Sequence, residues 1–185
     1  MKRILYIVLG MMLIAGLSTA FAQDKDLKTH PGYIDLSVID IPVEATEVTD
    51  ITLDPNILRL VAKYGDDEDD DVMDTVSKLL SIRVISFNLD VKGIDEIFPK
   101  IEAIEKKLNA ENWNNLIQVR KGKERTRVAM KIQDDKIVGF LLMSVDPEGE
   151  VSFINIVGGS IDFETIQKIG MDVDGSALDS LKHLY

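Results

Sequence analysis

The spacing of apolar residues changes several times along this 185-residue chain, and each change predicts an element. Val48, Ile51 and Leu53 predict a first strand, closed by Asp54-Pro55-Asn56. Ile57, Leu58, Leu60, Val61 and Tyr64 then fall on one helical face, with Asp54 as N-cap, Pro55 at the first position and Gly65 as the stop. A second helix is expected from Val72 to Ser81 and a strand from Ile82 to Leu89. A third helix is expected from Ile94 to Asn109, on the stripe Ile94, Ile97, Phe98, Ile101, Ile104 and Leu108. Pro99 in its second turn predicts a kink or a later start.

From Trp113 the period falls to two. Four strands are expected: Trp113 to Arg120, Arg125 to Gln133, Lys136 to Val145, and Glu150 to Val157. The links Lys121-Gly122-Lys123, Asp134-Asp135 and Asp146-Pro147-Glu148-Gly149 are turn chemistry, too short for anything but antiparallel neighbours. Gly158-Gly159 predicts a break before a short helix on Ile161, Phe163, Ile166 and Ile169 that stops at Gly170. The fold class is therefore α+β, an antiparallel β-meander with helices mainly on one face, in the order β-α-α-β-α-β-β-β-β-α. The third meander strand is apolar on both faces, so its second side must meet the N-terminal segment, another sheet or a partner chain.

The N-terminus has a different logic. Met1, Lys2 and Arg3 precede an uncharged apolar run from Ile4 to Leu17, and Ala20-Phe21-Ala22 is an A-x-A-like site before Gln23. Residues 1–22 read as a secretory signal cleaved between Ala22 and Gln23, although the run is near spanning length and a retained anchor is the alternative. The expected organisation is signal 1–22, leader and extended segment 23–45, one α+β domain 46–170, and tail 171–185. Leu178, Leu181 and Leu184 lie at helical spacing in that tail and suit docking on the domain or on a partner. The expected location is the periplasm or the extracellular space, with no membrane span after signal removal.

Composition narrows the chemistry. There is no cysteine, which removes disulfides, thiolate metal sites and cysteine nucleophiles. The net charge of −11 becomes −13 once Lys2 and Arg3 are removed, which opposes general nucleic-acid binding. His30 and His183 sit near the two ends without an evident partner, and no nucleophile elbow, metalloprotease, dinucleotide or P-loop pattern occurs. No catalytic residues, metal ligands or cofactors are expected. The acidic run Asp66 to Asp71 contains no glycine to converge its carboxylates on calcium, and Asp172, Asp174 and Gly175 lack a calcium loop's spacing. Gly158-Gly159-Ser160 reads as a turn with Ser160 or Asp162 as cap rather than as an anion site.

One local feature stands against the acidic background. Arg120, Lys121, Lys123, Arg125, Arg127 and Lys131 accompany Glu124 alone in a twelve-residue stretch of net charge +5. Alternation puts Arg125, Arg127, Ala129 and Lys131 on one strand face, predicting a cationic surface for an acidic partner or an anionic envelope component. The same face could instead be solvated and balanced by the chain's own acids.

His30-Pro31-Gly32-Tyr33-Ile34-Asp35-Leu36, Ser81-Ile82-Arg83-Val84, Trp113 through Val128, Leu142-Met143-Ser144-Val145 and Asn155-Ile156-Val157-Gly158 resemble the domain of unknown function 4252 family of small exported bacterial proteins. The resemblance extends to Gly170 and implies export, an α+β domain and a regulatory or sensing role. It implies no catalytic residues. The acidic run and the long tail depart from it. The expected function is a non-enzymatic envelope protein that binds a partner through its sheet or basic hairpin. A carrier of a small apolar ligand and a carboxylate-dependent hydrolase are the alternatives. Partner identity and oligomeric state stay open at this point.

Overall fold

The computed structural model describes residues 27–64 and 76–161. The expected signal with its Ala22-Gln23 junction, the acidic run, the helix expected beyond Ile161, Asp172 to Gly175, His183 and the expected tail lie outside them. A short 3-10 turn at Leu36–Val38 comes first. It is followed by β1 (Thr46–Leu53), α1 (Pro55–Tyr64), β2 (Leu79–Asn88), α2 (Val91–Ala110), β3 (Asn114–Lys121), β4 (Glu124–Gln133), β5 (Lys136–Val145) and β6 (Glu150–Ile161).

Local chemistry sets most of these boundaries. The Asp54 carboxylate accepts the N–H groups of Asn56 and Ile57 at 2.7 and 3.0 Å, starting α1 at Pro55. Asp90 does the same for Lys92 and Gly93, so α2 starts at Val91 and runs through Pro99 to Ala110. Asp134 and Asp135 both have positive φ, as a two-residue hairpin loop demands. In the last turn one Asp146 oxygen accepts from the N–H groups of Glu148, Gly149 and Glu150.

The strands form one antiparallel sheet in the order β1-β2-β6-β5-β4-β3. The meander from β3 to β6 is present as expected. Two segments differ in type from the expectation. β2 begins at Leu79, so the end of the expected second helix, Leu79 to Ser81, is strand paired with Gly158 and Val157 of β6. β6 in turn passes through Gly158-Gly159 to Ile161, which pairs with Ile137, where a break and a helix start were expected. Gly158 pairs with β2 and Ile161 with β5, while Gly159 and Ser160 fall in the register shift between them, so the glycines mark a bulge within the strand rather than its end.

Helix placement also differs from a one-faced arrangement. Ile97, Ile101, Ile104 and Leu108 of α2 pack with Phe87, Leu141, Met143 and Phe153 on one face of the sheet. Leu58 of α1 packs with Leu79, Ile82 and Ile156 on the other. The doubly apolar β5 requires this. Leu141 and Met143 bury on the first face, Phe140 and Leu142 on the second.

The segment before β1 completes the first face. Ile34, Leu36 and Ile39 are buried in the α2 core. This strap is hydrogen-bonded through the side chain of Asn155 on β6, which accepts the Ile34 N–H at 3.0 Å and donates to the Gly32 and Phe140 carbonyls at 3.1 and 3.0 Å. Gly32 lies so close to Val138 and Gly139 that a Cβ would overlap their backbone.

His30 enters this strap with its Nδ1 accepting the Gly32 N–H at 3.1 Å, and burial holds its pKa below the ordinary 6.5. The unfolded chain therefore binds a proton more readily than the folded one. Stability associated with His30 is complete above pH 6.5 and declines as pH falls below it. Urea titrations at pH 7.5 and 5.5 should show this loss, and His30→Asn should remove that part of the pH dependence.

Candidate interaction surface

The six basic residues of the hairpin are brought together, but their shared strand face looks inward. Arg125, Arg127 and Ala129 pair with Val145, Met143 and Leu141, the residues that pack against α2. Arg127 is 3% exposed. Its Nε donates to Asn115 Oδ1 and its Nη2 to Asn109 Oδ1, both at 2.8 Å, while Nη1 lies 3.8 Å from Glu105. Burial pulls its pKa below the usual value, Glu105 opposes that shift, and Arg120 adds to it. The guanidinium stays charged, because an arginine pKa starts too high for such a shift to neutralise it at pH 7.

The other five are engaged to different degrees. Arg120 reaches Glu105 Oε2 at 2.5 Å while its side chain remains 54% exposed. Lys123 pairs with Asp95 at 2.8 Å. Arg125 donates to the Gly122 and Glu124 carbonyls at 2.7 and 2.8 Å, with its guanidinium 4.8 Å from the centroid of the Phe98 ring. Lys131 bonds the Glu111 carbonyl at the end of α2. Lys121 is exposed at the hairpin tip. The expected outward cationic face is thus mostly a clamp between hairpin and helix, because the same alternation that groups the cations also aligns them with the apolar inner face of β5.

Glu105, Asn109 and Asn115 were not singled out from the sequence. A signal was present for Glu105: Ile101, Ile104, Glu105 and Leu108 follow one helical stripe, and a carboxylate on such a stripe needs a cationic partner. The cleft between hairpin and helix, lined by Ile101, Glu105, Arg125, Arg127 and Met143, offers about 10 Å³, roughly the room one water needs.

The second face of the sheet carries a feature that no linear motif announces. Register aligns Thr49 with Ser86, Ser86 with Ser152, Ser152 with Ser144, and Ser144 with Thr126. Five adjacent strands thus each place one hydroxyl in a single row, about 19 Å long at the usual strand spacing. Ser152 and Ser86 lie 3.3 Å apart and Thr126 and Ser144 3.4 Å apart, and Thr49 is exposed while the other four are half-buried. Toward the strand ends this row is followed by Thr46, Asn88 and Glu150, also in register. On its other side lies the apolar row Ile51, Val84, Ile154, Leu142 and Val128. The second face is therefore divided into an apolar half and a polar, partly accessible half.

Among the described residues no group of three or more His, Asp or Glu side chains converges to hold a metal ion, and no helix is long and apolar enough to cross a membrane. Fold and surface together define an α+β protein whose described residues form a six-stranded antiparallel sheet with a polar strip on its second face. The chain belongs to the family described as Domain of unknown function (DUF4252), which matches residues 43–169. The His30–Leu36 stretch of the strap lies outside that match. No curated protein and no solved structure matches the chain.

Proposed function

We propose that this chain is an exported, non-enzymatic envelope protein that binds a macromolecular partner through its sheet, on the polar half of the second face. The observation that carries this reading is the row of five hydroxyls on adjacent strands. It presents donors and acceptors from a rigid surface, where a partner can be read without ordering a loop. The basic hairpin contributes through its tip, where Lys121 and part of Arg120 stay accessible. Arg125 and Arg127 serve the fold, so charge reversal there would unfold the chain before it tested binding. Export rests on the N-terminal signal, and the protein recovered from a periplasmic fraction is expected to begin at Gln23.

The test is site-specific photocrosslinking in the native envelope from Ser152, with Lys121 as a second site. A discrete heterologous partner captured from Ser152, and lost in Ser144→Lys, is the expected result. Capture of no other protein from Ser152 would overturn the reading.

A further inference from the structure

We infer that this chain assembles head to tail with further copies of itself, β1 of one copy adding to β3 of the next. The sheet is open: among the described residues β1 and β3 each have one strand neighbour. Each edge carries charge of a single sign. β1 contains Glu47 and Asp50 and no basic residue, whereas β3 contains Arg120 and Lys121 and no acidic one. Thr46 to Asp50 and Arg120 to Lys121 are exposed.

Topology makes the two edges compatible. Six strands that alternate in direction leave β1 and β3 antiparallel to each other. A second copy in the same orientation therefore brings its β1 antiparallel to β3, with both α2 layers on the same side. Each edge is irregular at one end, between Thr46 and Thr49 in β1 and between Asn115 and Ile117 in β3. The regular stretches left are Thr49 to Leu53 and Ile117 to Lys121, equal in length. Laid antiparallel, they set Asp50 against Arg120, Ile51 against Val119, Thr52 against Gln118 and Leu53 against Ile117. The faces agree as well. Ile51, Leu53, Ile117 and Val119 all belong to the second face, while Asp50, Thr52, Gln118 and Arg120 belong to the first. Within one copy Asp50 contacts Arg83 and Arg120 contacts Glu105, so the Asp50–Arg120 contact joins two existing ion pairs across the seam, and with two apolar pairs in the same register it favours pairing.

Two-fold edge pairing is disfavoured by the same pattern, because β1 against β1 gathers acids and β3 against β3 gathers bases. What remains is a heterologous contact, and on an open sheet such a contact propagates. The mixed-sign edges thus specify a copy of this chain rather than an arbitrary strand.

The absence of cysteine provides a clean test. Thr52→Cys and Gln118→Cys proteins, mixed and oxidised, should form a heterodisulfide, and neither should dimerise alone. In sedimentation velocity the unmodified protein should form species larger than a monomer at low salt that diminish as salt screens the edges. Glu47→Lys and Lys121→Glu each cancel the net charge of one edge, so each should shift toward monomer, and an equimolar mixture should form dimers through the two unaltered edges. A monomer at every salt and concentration, or homodisulfides from the single-cysteine proteins, would overturn the inference. These readouts concern the edges, so they are separable from partner capture at Ser152.

Discussion

Asn155→Ala is expected to lower the free energy of unfolding by about 3–5 kcal/mol, because it removes three buried hydrogen bonds between this side chain and backbone groups at roughly 1–3 kcal/mol each. Asn155 is 2% exposed and serves the Ile34 N–H and the Gly32 and Phe140 carbonyls at once. The strap it holds carries Ile34, Leu36 and Ile39 into the core, so its release also exposes apolar surface. Trp113, the single tryptophan, is buried in the same core, and its fluorescence should shift to the red when the strap leaves. Gly32→Ala should release the strap by a different route, through overlap with the Val138 carbonyl. Asn155→Asp sharpens the test. A carboxylate can still accept from Ile34 but cannot donate to either carbonyl, and burying its charge raises its pKa. That variant should be less stable at pH 7 than at pH 4.5 relative to the parent protein at each pH. A cost below about 1 kcal/mol for Asn155→Ala in urea denaturation would show that the strap is held by apolar packing alone.

The second large effect is expected at Glu105. Removing its carboxylate with Glu105→Ala strands the buried Arg127 guanidinium and should cost about 3 kcal/mol, the lower end for a buried pair broken on one side. Asn109 and Asn115 still accept from Arg127, which limits the loss. Arg127→Met alone should cost less, since Glu105 keeps its 2.5 Å contact with the accessible Arg120. Combining Glu105→Leu with Arg127→Met replaces the pair by apolar volume between Ile101 and Met143 and should recover much of the stability. With Glu105→Leu alone as the second single variant, non-additive costs in this cycle identify the pair as a coupled unit. Additive costs would show that the asparagines alone satisfy Arg127.

The sequence by itself determined the elements whose signals are local. The β3 to β6 meander is legible because short β-type segments are punctuated by turn residues, and α1 because Asp54-Pro55 is a start signal that needs no tertiary help. The grouping of Arg125, Arg127 and Lys131 on one face is legible from alternation along one strand. Its direction is not. Alternation specifies two faces and leaves open which one meets a helix; that was decided by α2 and by the apolar residues of β5 that share the cations' rows. Leu79 to Ser81 and Gly158 to Ile161 are strand against their local pattern, because strand partners distant in sequence supply pairing that local propensity does not record. The strap, the Asn155 anchor and the hydroxyl row belong wholly to the tertiary structure. Each depends on register between segments far apart in the chain, from Gly32 to Asn155 and from Thr49 to Thr126, and register is set only when opposing apolar faces close on a common core.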